Sequence, residues 1–495
     1  MKKWLTLLLF AGIILQANSN PGILRAYLSY SAFYSPEHGP YLETYLAVLG
    51  KSIIYIKKDN GKYQGTVLVT MLFKQQDSIR EFRKYELSSP EVEDTTAVDF
   101  SFLDQQRIPL PDGSYEFELS IADKNRKAAP FNVSDNLVIS FPKDKLSVSG
   151  IELVESFQKA TETSQLTKSG YDFIPYLDNF FPSAVNKITY YAEVYHASSA
   201  MLPEEKFAII TSIQSFETGT VVSDYQRLKR ESAKTVNVVF GEFDIKDLPS
   251  GNYNLVISVR DKENKELASN LLFFQRSNPN ARYDLTGLAS VDLSQSFSSQ
   301  FLALDTLREY IRCLYPISSA PEKLFIRSQL KVADLNVLQQ FFHAFWTSRY
   351  PLEPEKAWRN YYYQVLSVNK DFGTSTRKGY ETDRGRVYLQ YGPPNTRVED
   401  QKDPRMYPYE IWQYYKAGNQ SNRRFVFYSN DIALNDYQMV HSDVTGEVYN
   451  PWWQQMVKRF GPSGRDPDND YLRRPSESED EYWGGHSSDY YILPR

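Results

Sequence analysis

The chain has 495 residues, 56 of them basic and 61 acidic, with a formal net charge of −5. That length implies about three domains, each able to bury its own core, and the balanced charge leaves no basic footprint for nucleic acid. Aromatics make up 15%, led by 37 Tyr, a composition that suits β-rich domains whose half-exposed faces favour rings with a polar tip.

Taken in order, Lys2 and Lys3, an apolar run over residues 4–15 and then Ala17, Asn18 and Ser19 have the three regions of a secretory leader. The run falls short of the roughly 20 apolar residues of a bilayer span. The expectation is a leader at residues 1–19, cleaved near Ser19. The mature protein is then exported and soluble, periplasmic or associated with the outer surface, and membrane-associated only through a partner.

Residues 20–145 read as a β-sandwich. Segments 41–49, 62–74, 97–102, 114–121 and 136–141 are β-branched or aromatic runs separated by Gly, Pro, Asp and Asn. Pro111, Asp112 and Gly113 form a turn opening a strand that places Tyr115, Phe117, Leu119 and Ile121 on one face. Residues 146–279 repeat this pattern: segment 248–262 lies over 110–124 without a gap, matching Leu-Pro, Gly, Tyr and Asp-Lys. Segment 187–195 answers 41–49, and 207–213 answers 65–72. Short strands at such intervals are immunoglobulin-like in outline, although one cysteine, Cys313, allows no disulfide between the sheets. The polar segment 158–169 is either a linker or a long loop entering the second sandwich.

After residue 279 the period becomes helical. Phe301, Leu304, Leu307, Ile311 and Leu314 form one stripe; Leu335, Leu338, Phe341, Phe342 and Phe345 a second; Trp358, Tyr361, Val365 and Phe372 a third, opened by Pro354. This predicts three helices broken by Pro316, Pro321 and Pro351. Cys313, spaced with Leu307, Tyr310, Ile311 and Leu314, reads either as a reactive thiol or as a small buried apolar residue. Segments 409–415, 424–428 and 437–441 alternate as strands. Between helices and strands stands the stretch 378–394. There Asp383, Arg384 and Gly385 read as a tight turn, Val387, Leu389 and Tyr391 as one face of a strand, and Gly392, Pro393 and Pro394 as its stop.

That stretch resembles the signature of the GWxTD domain, a bacterial domain without an assigned reaction. Gly379, Thr382, Asp383, Arg384, Gly385, Arg386, Gly392 and Pro393 match, and Tyr380 stands where the pattern has Trp, adding a hydroxyl that wants a partner. The resemblance covers about residues 285–457. The fold class expected is therefore multidomain: two tandem all-β immunoglobulin-like sandwiches followed by an α+β domain, residues 280–458, with helices packed on a small antiparallel sheet. The tail at 459–495 is rich in Pro, Gly, Ser and Asp but carries Tyr482, Trp483, Tyr490, Tyr491 and Ile492, which dock either on the chain itself or on a partner.

Common catalytic patterns are missing. His38, His196, His343, His441 and His486 are scattered singly, with no paired-His helix, Cys-x-x-Cys, Gly-x-Ser-x-Gly or phosphate-binding loop, so no catalytic residue, metal or cofactor is assigned. What remains is charge around the signature: Arg377, Lys378, Glu381, Asp383, Arg384 and Arg386, with Arg397, Glu399, Asp400, Lys402, Asp403 and Arg405 beyond it. Asp383, Arg384 and Arg386 are the candidate ligand-binding residues, since guanidinium forks suit a carboxylate or phosphate. In the competing reading Gly379, Tyr380, Thr382, Gly385, Gly392 and Pro393 are structural, and Asp383 and the arginines brace a turn. The expected function is non-enzymatic binding of another envelope protein or envelope component; the alternative is an enzyme or receptor for an anionic glycan or peptide carboxylate at Asp383, Arg384 and Arg386.

Overall fold

In the computed structural model the described residues are 24–458 and the short strands at 8–9 and 12–15. Scattered positions are excepted: 77, 97, 163–166, 201–205, 284, 286–287, 289–290, 295, 402–405, 419, 431–434 and 451. The expected leader otherwise lies outside the described residues, as do the tail at 459–495 and Lys402, Asp403 and Arg405. The chain divides into two compact units, one over Leu8–Asn280 and one from Ala281 onward. It is mostly β, built from several sheets, and among the described residues no helix is long and apolar enough to cross a membrane.

In the first unit strands β1 (Ala26–Ser35), β2 (Gly39–Leu49), β3 (Tyr63–Gln75), β4 (Ser78–Ser88), β5 (Ser101–Pro109), β6 (Gly113–Asp123) and β7 (Phe131–Ile139) form two antiparallel sheets. One sheet has the order β1-β2-β5, extended beyond β1 by the short strands at 12–15 and 8–9, and the other β7-β6-β3-β4. Alternation fills the core: Tyr115, Phe117, Leu119 and Ile121 point inward, with Val67, Val69, Met71 and Phe73 beside them on β3.

Strands β8 (Glu152–Lys159), β9 (Tyr171–Pro175), β10 (Lys187–Tyr195), β11 (Lys206–Ser215), β12 (Val221–Ser232), β13 (Val236–Asp244), β14 (Gly251–Arg260) and β15 (Glu266–Arg276) follow. Their orders, β9-β8-β10-β13 and β15-β14-β11-β12, repeat the first set strand for strand once β9 is set aside. The matched sequence segments occupy matched strands: β2 with β10, β3 with β11, β6 with β14. Even the turn before the matched hairpin is the same, because Tyr115 Oη donates to Pro111 O and Tyr253 Oη to Pro249 O, each at 2.8 Å. A buried phenol needs such a partner.

One open reading is decided, one strand shifts and two strands are new. The polar segment 158–169 enters the second set of strands: it closes β8 and adds the short strand Thr167–Lys168 beside β9. The strand expected at 97–102 is β5, four residues later, where Gln105, Gln106 and Arg107 lie in register with β2. The charged strands β4 and β12 were not expected. They are sheet edges, and their arginines and lysines are the usual guard of an open ladder.

The second unit has helices α1 (Leu304–Arg312), α2 (Ala320–Ser328), α3 (Leu335–Arg349), α4 (Pro354–Phe372) and α5 (Asp383–Tyr391), then β16 (Thr396–Asp400), β17 (Tyr409–Ala417), β18 (Gln420–Tyr428) and β19 (Gln438–Ser442). The strands form one antiparallel sheet in sequence order. Trp412, Tyr414, Phe425 and Phe427 on one face join the helical core of Leu307, Phe341, Phe342, Trp358 and Val365. Tyr409, Ile411, Val426 and Val440 on the other face pack with Trp453 and Val457. Pro321 does not break a helix but opens α2, within a capping box made by Ser319 and Glu322. Cys313, 1% exposed at the end of α1, is the small buried residue, its thiol pushed up by burial.

Candidate functional site

The signature is not a turn and a strand but a helix. Thr382 is the N-cap of α5, its hydroxyl accepting the Gly385 N–H at 3.2 Å, and Asp383 sits in the first turn where the helix dipole favours an anion. Gly392, at φ +83°, ends the helix in a conformation natural to glycine, and Pro393 and Pro394 prevent its continuation. The alternation Val387, Leu389, Tyr391 imitated a strand. On the helix, Arg384, Val387 and Leu389 turn into the protein while Tyr388 and Tyr391 lie half-buried.

Two glycines bring three pieces of backbone together. A Cβ on Gly379 would lie 2.0 Å from the Val368 carbonyl oxygen of α4, and one on Gly385 would lie 1.9 Å from the Gly379 oxygen. Any side chain there would push α4, the 3-10 turn Gly379–Glu381 and α5 apart. Tyr380, in that turn, is 3% exposed, and its hydroxyl donates to Glu309 Oε1 of α1 at 3.0 Å. Burial pushes the Glu309 carboxyl up, but hydrogen bonds from Lys378 and Tyr380, with the charges of Lys378 and Arg312, outweigh it and hold it below the usual range.

The three candidate ligand-binding residues all turn inward. Asp383 Oδ2 accepts the Met439 N–H of β19 at 2.8 Å. Arg384 is 2% exposed: it gives one nitrogen to Glu410 Oε1 at 2.6 Å and another to the Asn435 carbonyl and side-chain oxygens at 2.9 and 2.6 Å, and it lies 4.1 Å from the centre of the Tyr437 ring. Arg386 makes a bidentate pair with Glu447, at 2.8 and 2.7 Å, and reaches Gln390 at 3.1 Å, while Tyr391 donates to the same carboxylate at 3.1 Å. Asp383 and Arg386 do not hydrogen-bond each other. Pro393, past the helix end, is exposed.

Glu410 is the residue sequence reasoning missed. On β17, its even-numbered face also carries Trp412 and Tyr414 into the helical core, so a carboxylate there has to be met by donors. It receives Arg384, Arg397 at 3.1 Å and the Trp412 indole N–H at 2.8 Å. The signal was available: an acid on the inward phase of an otherwise apolar strand. Among the described residues no group of three or more His, Cys, Asp or Glu is placed to hold a metal ion.

The fold and signature define a mostly β protein whose second unit sets helices on an antiparallel sheet. Residues 294–461 match the family model of the GWxTD domain, and that part of the chain is a GWxTD domain. No curated protein matches it in sequence. Solved structures with some likeness include a glycosyl hydrolase family 2 member from Bacteroides cellulosilyticus, 10% identical over 47% of this chain and 28% of that one, at a TM-score of 0.20. A Bacteroides uniformis β-glucuronidase is 10% identical over 56% and 32%, at 0.18. Salmonella α-2-macroglobulin reacted with methylamine is 10% identical over 53% and 17%, at 0.16. The chain spans about a third or less of each.

Proposed function

We propose that the protein is an exported, non-enzymatic envelope component that binds another envelope protein. In this reading two immunoglobulin-like sandwiches, residues 20–145 and 146–279, and the α+β domain at 280–458 serve as binding modules, and the signature is internal bracing. The observation that carries it is the fate of the charged groups: both guanidinium forks of the signature are consumed by Glu410, Asn435 and Glu447. An anionic ligand there would have to displace buried carboxylates from charge-assisted bonds. The shared strand order of the two β regions supports the tandem layout.

The test is crosslinking of the native protein in its own envelope, followed by identification of what is captured, beside fractionation and N-terminal sequencing of the mature chain. Capture of a defined envelope protein by wild type and by Arg386→Lys alike supports the reading. An uncaptured chain, or one that stays in the cytoplasm with residues 1–19 attached, sinks it.

A further inference from the structure

In the first unit, where the two strand sets meet, Lys168 lies 8% exposed between two carboxylates, Glu43 at 0% and Glu152 at 4%. Its Nζ is 2.5 Å from Glu152 Oε2, 2.8 Å from Glu43 Oε2 and 3.0 Å from Tyr45 Oη. Phe33 covers it with a ring centre 4.0 Å away, and the Tyr191 and Tyr45 rings stand 5.6 and 5.7 Å off. The carboxylates are held differently. Glu152 Oε1 accepts the Tyr45 hydroxyl at 2.8 Å, whereas Glu43 Oε1 takes Gln105 Nε2 and stands 3.4 Å from Arg107 Nε.

Two cations face the two buried carboxylates: Lys168 contacts both, while Arg107 stands 3.4 Å from Glu43, and ion pairs removed from water are costly to keep as ions. Burial raises the Glu152 carboxyl, with the Glu43 charge adding to this against Lys168. Condensation requires a proton to pass from the Lys168 ammonium to the Glu152 carboxylate, leaving an amine against an acid, the two partners of an amide.

We propose that Lys168 and Glu152 condense into an intramolecular amide, with Glu43 as the proton relay. The Lys168 Nζ lone pair attacks Glu152 Cδ while the Tyr45 hydroxyl polarises Oε1. Glu43 takes a proton from the nitrogen of the tetrahedral adduct and passes it to Oε2, which leaves as water. One N–C bond forms and one C–O bond breaks; ammonium and carboxylate become amide and water, with no oxidant, cofactor or activated group required. Glu43 ends as it began, a carboxylate beside Arg107. Fixed geometry and a dry aromatic lining supply what the uncatalysed condensation lacks in water.

The test is a peptide map of the folded, purified full-length chain. A branched peptide joining the segments that hold Glu152 and Lys168, lighter by one water than the two together, is the expected result. Linear peptides with both side chains free overturn the proposal, and a branch from Lys168 to Glu43 overturns the assigned roles. Glu43→Gln, nearly the same shape, should give the two linear peptides, checked for native circular dichroism; a branch that persists in this variant removes the relay. The wild-type map decides the main point even where a variant does not fold.

Discussion

The Arg384 and Lys168 clusters both bury cations among carboxylates, yet they are built for different ends. Arg384 meets Glu410 through a planar fork, with Asn435, Arg397 and Trp412 completing the set, so donors and acceptors are nearly matched. Lys168 is a point charge shared by Glu43 and Glu152. The first arrangement is at rest; the second sets a lysine nitrogen directly against a carboxyl in a dry place. Buried charge alone therefore does not mark a working site, and the pairing of donors to acceptors is the better guide.

The sharpest way to break this comparison is Glu410→Ala, which takes the carboxylate from buried Arg384 and the acceptor from the Trp412 indole N–H, while exposed Arg397 keeps Glu399. It should cost the second unit roughly 3–5 kcal/mol, read as a fall in melting temperature, and leave the Glu152–Lys168 peptide map unchanged. Gly385→Ala comes next at about 3 kcal/mol, because its Cβ meets the Gly379 oxygen. Gly392→Ala, with open space but positive φ, should cost only about 1 kcal/mol.

His441 adds a pH term to the second unit alone. Burial lowers it to about 4, against an opposing upward effect of a backbone hydrogen bond with Asn450. The unfolded chain binds the proton first, so the stability it contributes is present above the ordinary histidine value near 6.5 and is lost as pH falls from there to about 4. Denaturant titration across that range should show a loss of roughly 2–3 kcal/mol that His441→Asn removes. The smallest effects are Thr382→Ala and Tyr380→Phe, each about 1 kcal/mol, the first for a lost cap and the second for the Glu309 bond. If Tyr380→Phe proves as damaging as Glu410→Ala, the Glu309 cluster and not the Arg384 cluster organises the domain.

Much of the β architecture was legible in the sequence because alternation and turn chemistry agree there: Tyr115, Phe117, Leu119 and Ile121 follow Pro111, Asp112 and Gly113, and the same spacing recurs at Tyr253. The charged edges β4 and β12 escaped because an exposed strand carries little apolar signal. At the signature two periods competed. Val387, Leu389 and Tyr391 suggested a period of two, while Thr382 before Asp383 and Gly392 before Pro393 marked the ends of a helix, and the caps were the truer signal. The candidate site residues were named, but their orientation was not. Whether Arg384 faces ligand or core depends on Glu410, 26 residues later, and no local pattern carries that distance.

The paired hydroxyl-to-carbonyl bonds of Tyr115 and Tyr253 carry a historical consequence. Two halves that share a corner, a strand order and a gapless stretch of sequence point to descent from one ancestral half copied in tandem. Because the acceptor at the corner is a main-chain oxygen, a replacement at position 111 or 249 can keep the bond as long as the backbone holds its course. The corner can thus stay the same in both halves while the faces around it differ, with charged edges in one place and a lysine among glutamates in another.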